Sequence, residues 1–134
     1  MSGLNREKKP WWVGVESPNP ASGRGIFRTL ELLDGAMATS GDYRNFRTCE
    51  DGTRFSHIID PHTGRPAETD VASVSVLAES CMDADAVATA LFVMGSEKRF
   101  QWLENFPEFE AFFILHSTNG TFTTRATDGF PVER

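Results

Sequence analysis

The sequence predicts an α+β fold, with a mostly antiparallel sheet and two helices on one of its faces, in a single domain spanning 1–134. Three observations lead there. Strand-like runs punctuated by Pro, Gly and Asp turns fill the first part of the chain. The apolar period changes from two to helical after Ser80. An Asn119-Gly120 turn then closes the chain with a hairpin. Strands followed by helices over one core are the pattern of a sheet covered on one side.

Each element has its own signal. Trp11 to Glu16 reads as a strand, ended by Ser17-Pro18-Asn19-Pro20. Ile26 to Leu33 reads as a second, Asp34-Gly35 as a hairpin-type turn and Ala36 to Ser40 as a third strand, which together suggest a meander. Gly41 to Gly52 is polar and ends in an Asp-Gly turn, after which Arg54 to Ile59 is a strand stopped by Asp60-Pro61. Val71 to Glu79 alternates, with Val71, Ser73, Ser75 and Leu77 on one side and Ala72, Val74, Val76 and Ala78 on the other. Ser80 is a helix N-cap, paired with Asp83 in a capping-box-like arrangement, and the helix runs to Met94 and Gly95. A second helix starts at Ser96, carries Phe100, Leu103 and Glu104, and ends before Pro107. Phe109 to His116 and Thr121 to Arg125 form the closing hairpin. Of Trp11 and Trp12, one is expected in the core and the other at an interface; Phe112 and Phe113 are expected to pack the sheet.

Composition narrows the function. With 13 Lys and Arg against 19 Asp and Glu, the net charge is −6. A broad nucleic-acid surface needs clustered cations, and only Arg6, Lys8 and Lys9 cluster, so no nucleic-acid partner is expected. Cys49 and Cys81 make neither a disulfide framework nor a CxxC metal motif. No apolar run reaches the roughly 18 residues of a membrane span, and no signal-peptide core is present near Met1.

The candidate chemistry lies in two stretches. Asp85 and Thr89 are one helical turn apart on one face, and Asp85 lies beyond the first turn, where capping no longer explains a carboxylate. Its neighbours are small and apolar, so the charge is expected to need a partner, of which Mg²⁺ is one. The alternative is an Arg partner or water for Asp85 and a back-bond from Thr89 to the Asp85 carbonyl. His57 sits in an apolar run, either as a hydrogen-bonded core residue or as a proton-transfer group suited to neutral pH. Asp60-Pro61-His62-Thr63-Gly64 is a turn, with an Asx-turn available to Asp60; Thr63 and Gly64 could instead offer a hydroxyl and a backbone N–H to phosphate. Ser40-Gly41-Asp42-Tyr43-Arg44-Asn45 either packs on itself or lines a pocket, with Tyr43 stacking and Arg44 or Asn45 orienting a ligand.

Pro10 to Pro18, Ala38 to Asn45, Ser56 to Gly64 and Ala84 to Ala90 occur in an order that resembles the C-terminal half of the ApbE family, the FAD:protein FMN transferases, formerly described as thiamine biosynthesis lipoproteins. The resemblance implies a T-fold-like module and Mg²⁺-dependent transfer of FMN from FAD to a threonine hydroxyl of a target protein, with release of AMP. It implies Asp85 and Thr89 as metal ligands, His57 as the catalytic base, and Ser40, Asp60, Thr63 and Gly64 as contacts to the FAD cofactor. It also implies a periplasmic or membrane-anchored setting, which no signal or anchor in this chain marks. Family members are more than twice as long. The chain alone is therefore expected to be nearly inactive, and to meet an N-terminal half or a second copy of itself through an exposed apolar face. Hydrolysis of FAD to FMN and AMP, and non-catalytic flavin binding, are the alternative readings.

Overall fold

The computed structural model describes residues 2–19, 25–43, 46–48, 50 and 54–131. Among them the elements run β1 (Trp11–Glu16), β2 (Ile26–Leu32), β3 (Ala36–Gly41), β4 (Phe46–Thr48), β5 (Arg54–Ser56), β6 (Ile59–Asp60), β7 (Arg65–Pro66), β8 (Val71–Ala78), α1 (Cys81–Met94), α2 (Ser96–Asn105), β9 (Glu110–His116) and β10 (Phe122–Ala126). The centre is a four-stranded antiparallel sheet in the order β10-β9-β8-β3. β1–β2, β4–β5 and β6–β7 are separate two-stranded ribbons. Cys49, Arg44, Asn45 and the turn expected at Asp51-Gly52 lie outside the described residues.

The expected class, an antiparallel sheet with both helices on one face, is the one observed, with two differences. The first concerns the meander. β1 and β2 pair with each other, but β3 leaves them and pairs with β8. The chain turns away at Asp34-Gly35, where Gly35 takes φ 109°, a conformation that residues with a Cβ rarely adopt. The β1–β2 ribbon then lies across the second face of the sheet. Val15 and Leu30 from the ribbon meet Ala72, Phe112, Ile114 and Phe130 there. On the opposite face Val71, Val74, Val76 and Phe113 pack beneath Ala88, Leu91 and Phe92 of α1 and Leu103 of α2. Burial on both faces explains why β9 reads as a nearly continuous apolar run and why only the small Ser73 and Ser75 interrupt β8, and each buried Phe or Leu contributes roughly 1.5–3 kcal/mol.

The second difference is one of register. Val71 opposes Leu115 and Ser73 opposes Ile114, so Ala72 is an extra residue in β8. This bulge breaks the strict alternation expected across Val71 to Glu79. Val71 joins Val74 and Val76 on the helix face, and Ala72 turns to the ribbon face. Phe112 and Phe113 pack opposite faces, as expected. The expectation that one tryptophan enters the core fails. Trp11 is 39% exposed and Trp12 57%, because the inward positions of β1 are filled by Val13 and Val15 and Trp11 sits at the ribbon's end.

Arg99 is a buried charge that no pattern in the sequence marks. Its side chain is fully buried, with both terminal nitrogens on the Asp70 carboxylate at 3.1 and 3.0 Å. The guanidinium stands over Phe113 at 5.0 Å and Phe100 at 5.6 Å. The pair ties α2 to the turn that starts β8. Arg99→Ala is expected to cost about 3 kcal/mol, the low end for breaking a buried pair, because Asp70 keeps 40% of its side-chain surface in water. A lowered urea midpoint with an unchanged slope would show it.

Candidate functional site

α1 starts at Ser80, whose hydroxyl accepts the Asp83 N–H at 3.1 Å and donates to the Asp83 carboxylate at 2.7 Å. Ala84, Ala88, Leu91 and Phe92 form its buried stripe. Alanine at two of these positions lets the helix approach β3 and β8 closely. Asp85 and Thr89 then stand at the helix margin, above the end of β3. Thr89 Oγ1 lies 3.1 Å from Ser40 Oγ on β3 and donates to the Asp85 carbonyl at 3.1 Å. The back-bond expected as the alternative for Thr89 is therefore made. With its own proton committed, Thr89 keeps oxygen lone pairs for Ser40 and for a further donor or cation.

The Asp85 carboxylate is exposed and makes no hydrogen bond or ion pair among the described residues. The carboxylate is not buried among its small neighbours, as their composition led one to expect. The apolar residues line the adjacent face of the helix, and the carboxylate projects into an open cleft.

The second wall of the cleft comes from the segment between β5 and β6. The strand expected from Arg54 to Ile59 is broken there. The Ser56 hydroxyl accepts the Ile58 N–H at 3.1 Å and bends the chain. Ile58 C=O then accepts the Ala67 N–H at 2.8 Å, starting a new ribbon. His57 sits at the break and faces the cleft instead of the core. Thr39, Ser40, Gly41, Tyr43, His57, Ile58, Ile59, Asp85 and Thr89 enclose a volume of about 480 Å³.

Four of the seven expected site residues thus meet in one cleft: Ser40, His57, Asp85 and Thr89. Asp60, Thr63 and Gly64 do not line it. They build the β6–β7 turn, where Gly64 takes φ 66° and donates its N–H to the Asp60 carbonyl at 2.8 Å. Asp60 Oδ1 accepts the His62 N–H at 2.9 Å and lies 3.0 Å from His62 Nδ1. That backbone N–H, helped by the imidazole, holds the Asp60 carboxyl below the usual carboxylate range. Thr63 Oγ1 accepts the Arg65 N–H at 3.2 Å. Asp60 faces a separate hollow of about 450 Å³ with Met94 and Lys98.

Among the described residues no three His, Cys, Asp or Glu side chains group to hold a metal. The cleft offers one carboxylate and two hydroxyls 3.1 Å apart. An all-oxygen set with so few protein donors suits a hard cation that keeps most of its shell as water and phosphate oxygen, as Mg²⁺ does. It does not suit Zn²⁺, which takes nitrogen and sulfur donors.

Residues 1–113 match the model of the ApbE family. The chain is 51% identical over 98 residues to the FAD:protein FMN transferase of Vibrio cholerae, covering 73% of this chain and 29% of that protein. It is 38% identical over 128 residues to that of Haemophilus influenzae, covering 96% of this chain and 36% of the relative. Among solved structures, the flavin transferase ApbE from Vibrio cholerae superposes with a TM-score of 0.79 at 42% identity, over 96% of this chain and 39% of that one. The ApbE protein from Thermotoga maritima gives 0.74 at 36% identity, over 90% and 38%. The chain spans about a third of the length of the curated relatives it matches. Sequence motifs, family model and fold agree over most of its residues: the chain belongs to the ApbE family.

Proposed function

We propose that the chain carries the metal-holding and proton-accepting part of an FAD:protein FMN transferase, which moves FMN from FAD to a threonine hydroxyl of a target protein and releases AMP. The convergence of Ser40, His57, Asp85 and Thr89 in one cleft supports this reading, together with relatives that bear that name. Asp85 and Thr89 would hold Mg²⁺, with the Ser40 hydroxyl fixing Thr89 from the sheet side. The bound cation supplies neutralisation of the pyrophosphate charge. His57 takes the proton from the threonine Oγ as that oxygen bonds to the FMN phosphorus. The bond from this phosphorus to the bridging oxygen breaks, and the bridging oxygen leaves with AMP. Both walls hold their groups on hydrogen-bonded backbone, which sets the orientation on which an in-line displacement depends.

His57 and Asp85 are both exposed within the cleft, which favours a second reaction in which water replaces threonine and FMN is released. Incubating the chain in excess over FAD, with Mg²⁺ and a threonine-bearing acceptor protein, separates the two. Slow AMP release, matched by an FMN mass increment on the acceptor and well below the rate of about 1 per second typical of enzymes, is the expected result. AMP release with free FMN would leave only the hydrolytic reading. No Mg²⁺-dependent FAD binding or cleavage at all would remove both.

A further inference from the structure

Among the described residues lining the cleft Tyr43 carries the one six-membered aromatic ring, and the backbone beneath it is shaped to receive that ring. A Cβ on Gly41 would lie 2.8 Å from the Tyr43 ring and 2.7 Å from the Ala72 carbonyl oxygen. Only glycine lets the ring settle this closely onto the end of β3. The residue between them is anchored twice. The Asp42 N–H donates to the Ala72 carbonyl at 3.1 Å, and Asp42 Oδ2 lies 3.2 Å from His116 Nε2. Asp42 Oδ1 is buried with no partner among the described residues, a cost that is tolerated only where something else fixes the side chain. His116 is itself held, its N–H donating to the Asp70 carbonyl at 2.8 Å, and Asp70 is gripped by the buried Arg99.

We propose that Tyr43 is the platform on which a flat ring of the flavin nucleotide stacks, and that the Asp42–His116 pair is the clamp that holds Tyr43 in place. The inference rests on the reading of the cleft as a flavin-nucleotide site and adds to it the residue that recognises the ring. Asp85 and Thr89, steadied by Ser40, would hold the cation that faces the phosphates. A ligand with a planar ring needs an apolar face beside them, and among the residues lining the cleft Tyr43 alone has an aromatic face of that size. FAD carries two such rings, the isoalloxazine and the adenine.

Tyr43 is the only tyrosine of the chain, so labelling with 3-fluorotyrosine gives a single ¹⁹F resonance that reports on this ring. Calorimetry measures affinity on the same samples. Titration with FAD is expected to shift the resonance through the ring current of the stacked ligand. FMN alone reproduces the shift if the isoalloxazine stacks, and AMP alone if the adenine does. Tyr43→Phe should keep the affinity for FAD, and Tyr43→Ala should lower it about tenfold or more. In the unliganded protein, His116→Ala should move or broaden the resonance and His116→Gln should restore it, because the amide can still donate to Asp42. FAD binding with no shift would overturn the platform and leave the flavin reading standing. An unmoved resonance in a folded His116→Ala protein would overturn the clamp. Failure of FAD, FMN and AMP all to bind would overturn the flavin reading and the stacking with it.

Discussion

Replacing Asp85 by asparagine is expected to lower Mg²⁺-dependent AMP release from FAD by more than about 100-fold, since loss of even an outer-shell partner commonly costs 10–100-fold. The structure makes this a clean test. The Asp85 carboxylate is exposed and has no hydrogen-bond or ion-pair partner among the described residues, so the change should alter stability by less than about 0.5 kcal/mol. The measurement is a single-turnover assay with the chain in excess, run beside thermal unfolding. An unchanged rate would end the ligand assignment. Thr89→Val should have a smaller effect on the rate and a visible effect on stability, because that side chain bonds both Ser40 and the Asp85 carbonyl.

Replacing His57 by alanine is expected to slow the transfer step by about 10²–10⁴-fold while changing FAD affinity far less. A base acts on the proton that moves in the transition state, so its loss appears in the rate at saturation. A normal saturated rate with collapsed affinity would make His57 a binding residue. The acceptor-independent cleavage of FAD should fall in parallel, since a water proton needs the same base.

The fold class and both helices were legible because their signals are local. Ser80 with Asp83, Gly95, and the stripe Ala84, Ala88, Leu91 and Phe92 mark α1 without reference to anything distant. The pairing of β3 with β8 and the separate ribbon were not legible, since the Asp34-Gly35 turn looks the same whether its flanks pair or part. The bulge at Ala72 shifts the register without changing the hydrophobic pattern around it. In the site, helical spacing put Asp85 and Thr89 on one face and only the resemblance to the family gave them a role, while Ser40 beside Thr89 is a contact across 49 residues that periodicity cannot show. The break at His57 had a local cue, the Ser56 hydroxyl, but an apolar run hides it. Arg99 gave no cue, because an arginine on an amphipathic helix is usually read as solvated.

His116 touches both ends of one excursion of the chain. Its ring meets Asp42, where the chain leaves the sheet, and its N–H meets Asp70, where the chain returns. The described residues between, including His57 and the β6–β7 ribbon, contribute little to the two buried clusters beyond Ile58 and Ala67. Asp85, Thr89 and Ser40 stand instead on the helix and strand that form the main core. The wall carrying His57, proposed to accept the proton, and the wall carrying Asp85 and Thr89, proposed to hold the cation, are thus expected to open as different cooperative units. Amide hydrogen exchange should record this as two opening free energies, a low one for Ile58 and Ala67 and one near the global value for the middle of β8. An opening of the lower unit would switch off proton transfer while the cation stayed bound, so the lifetime of that opening would set how often a loaded site fires.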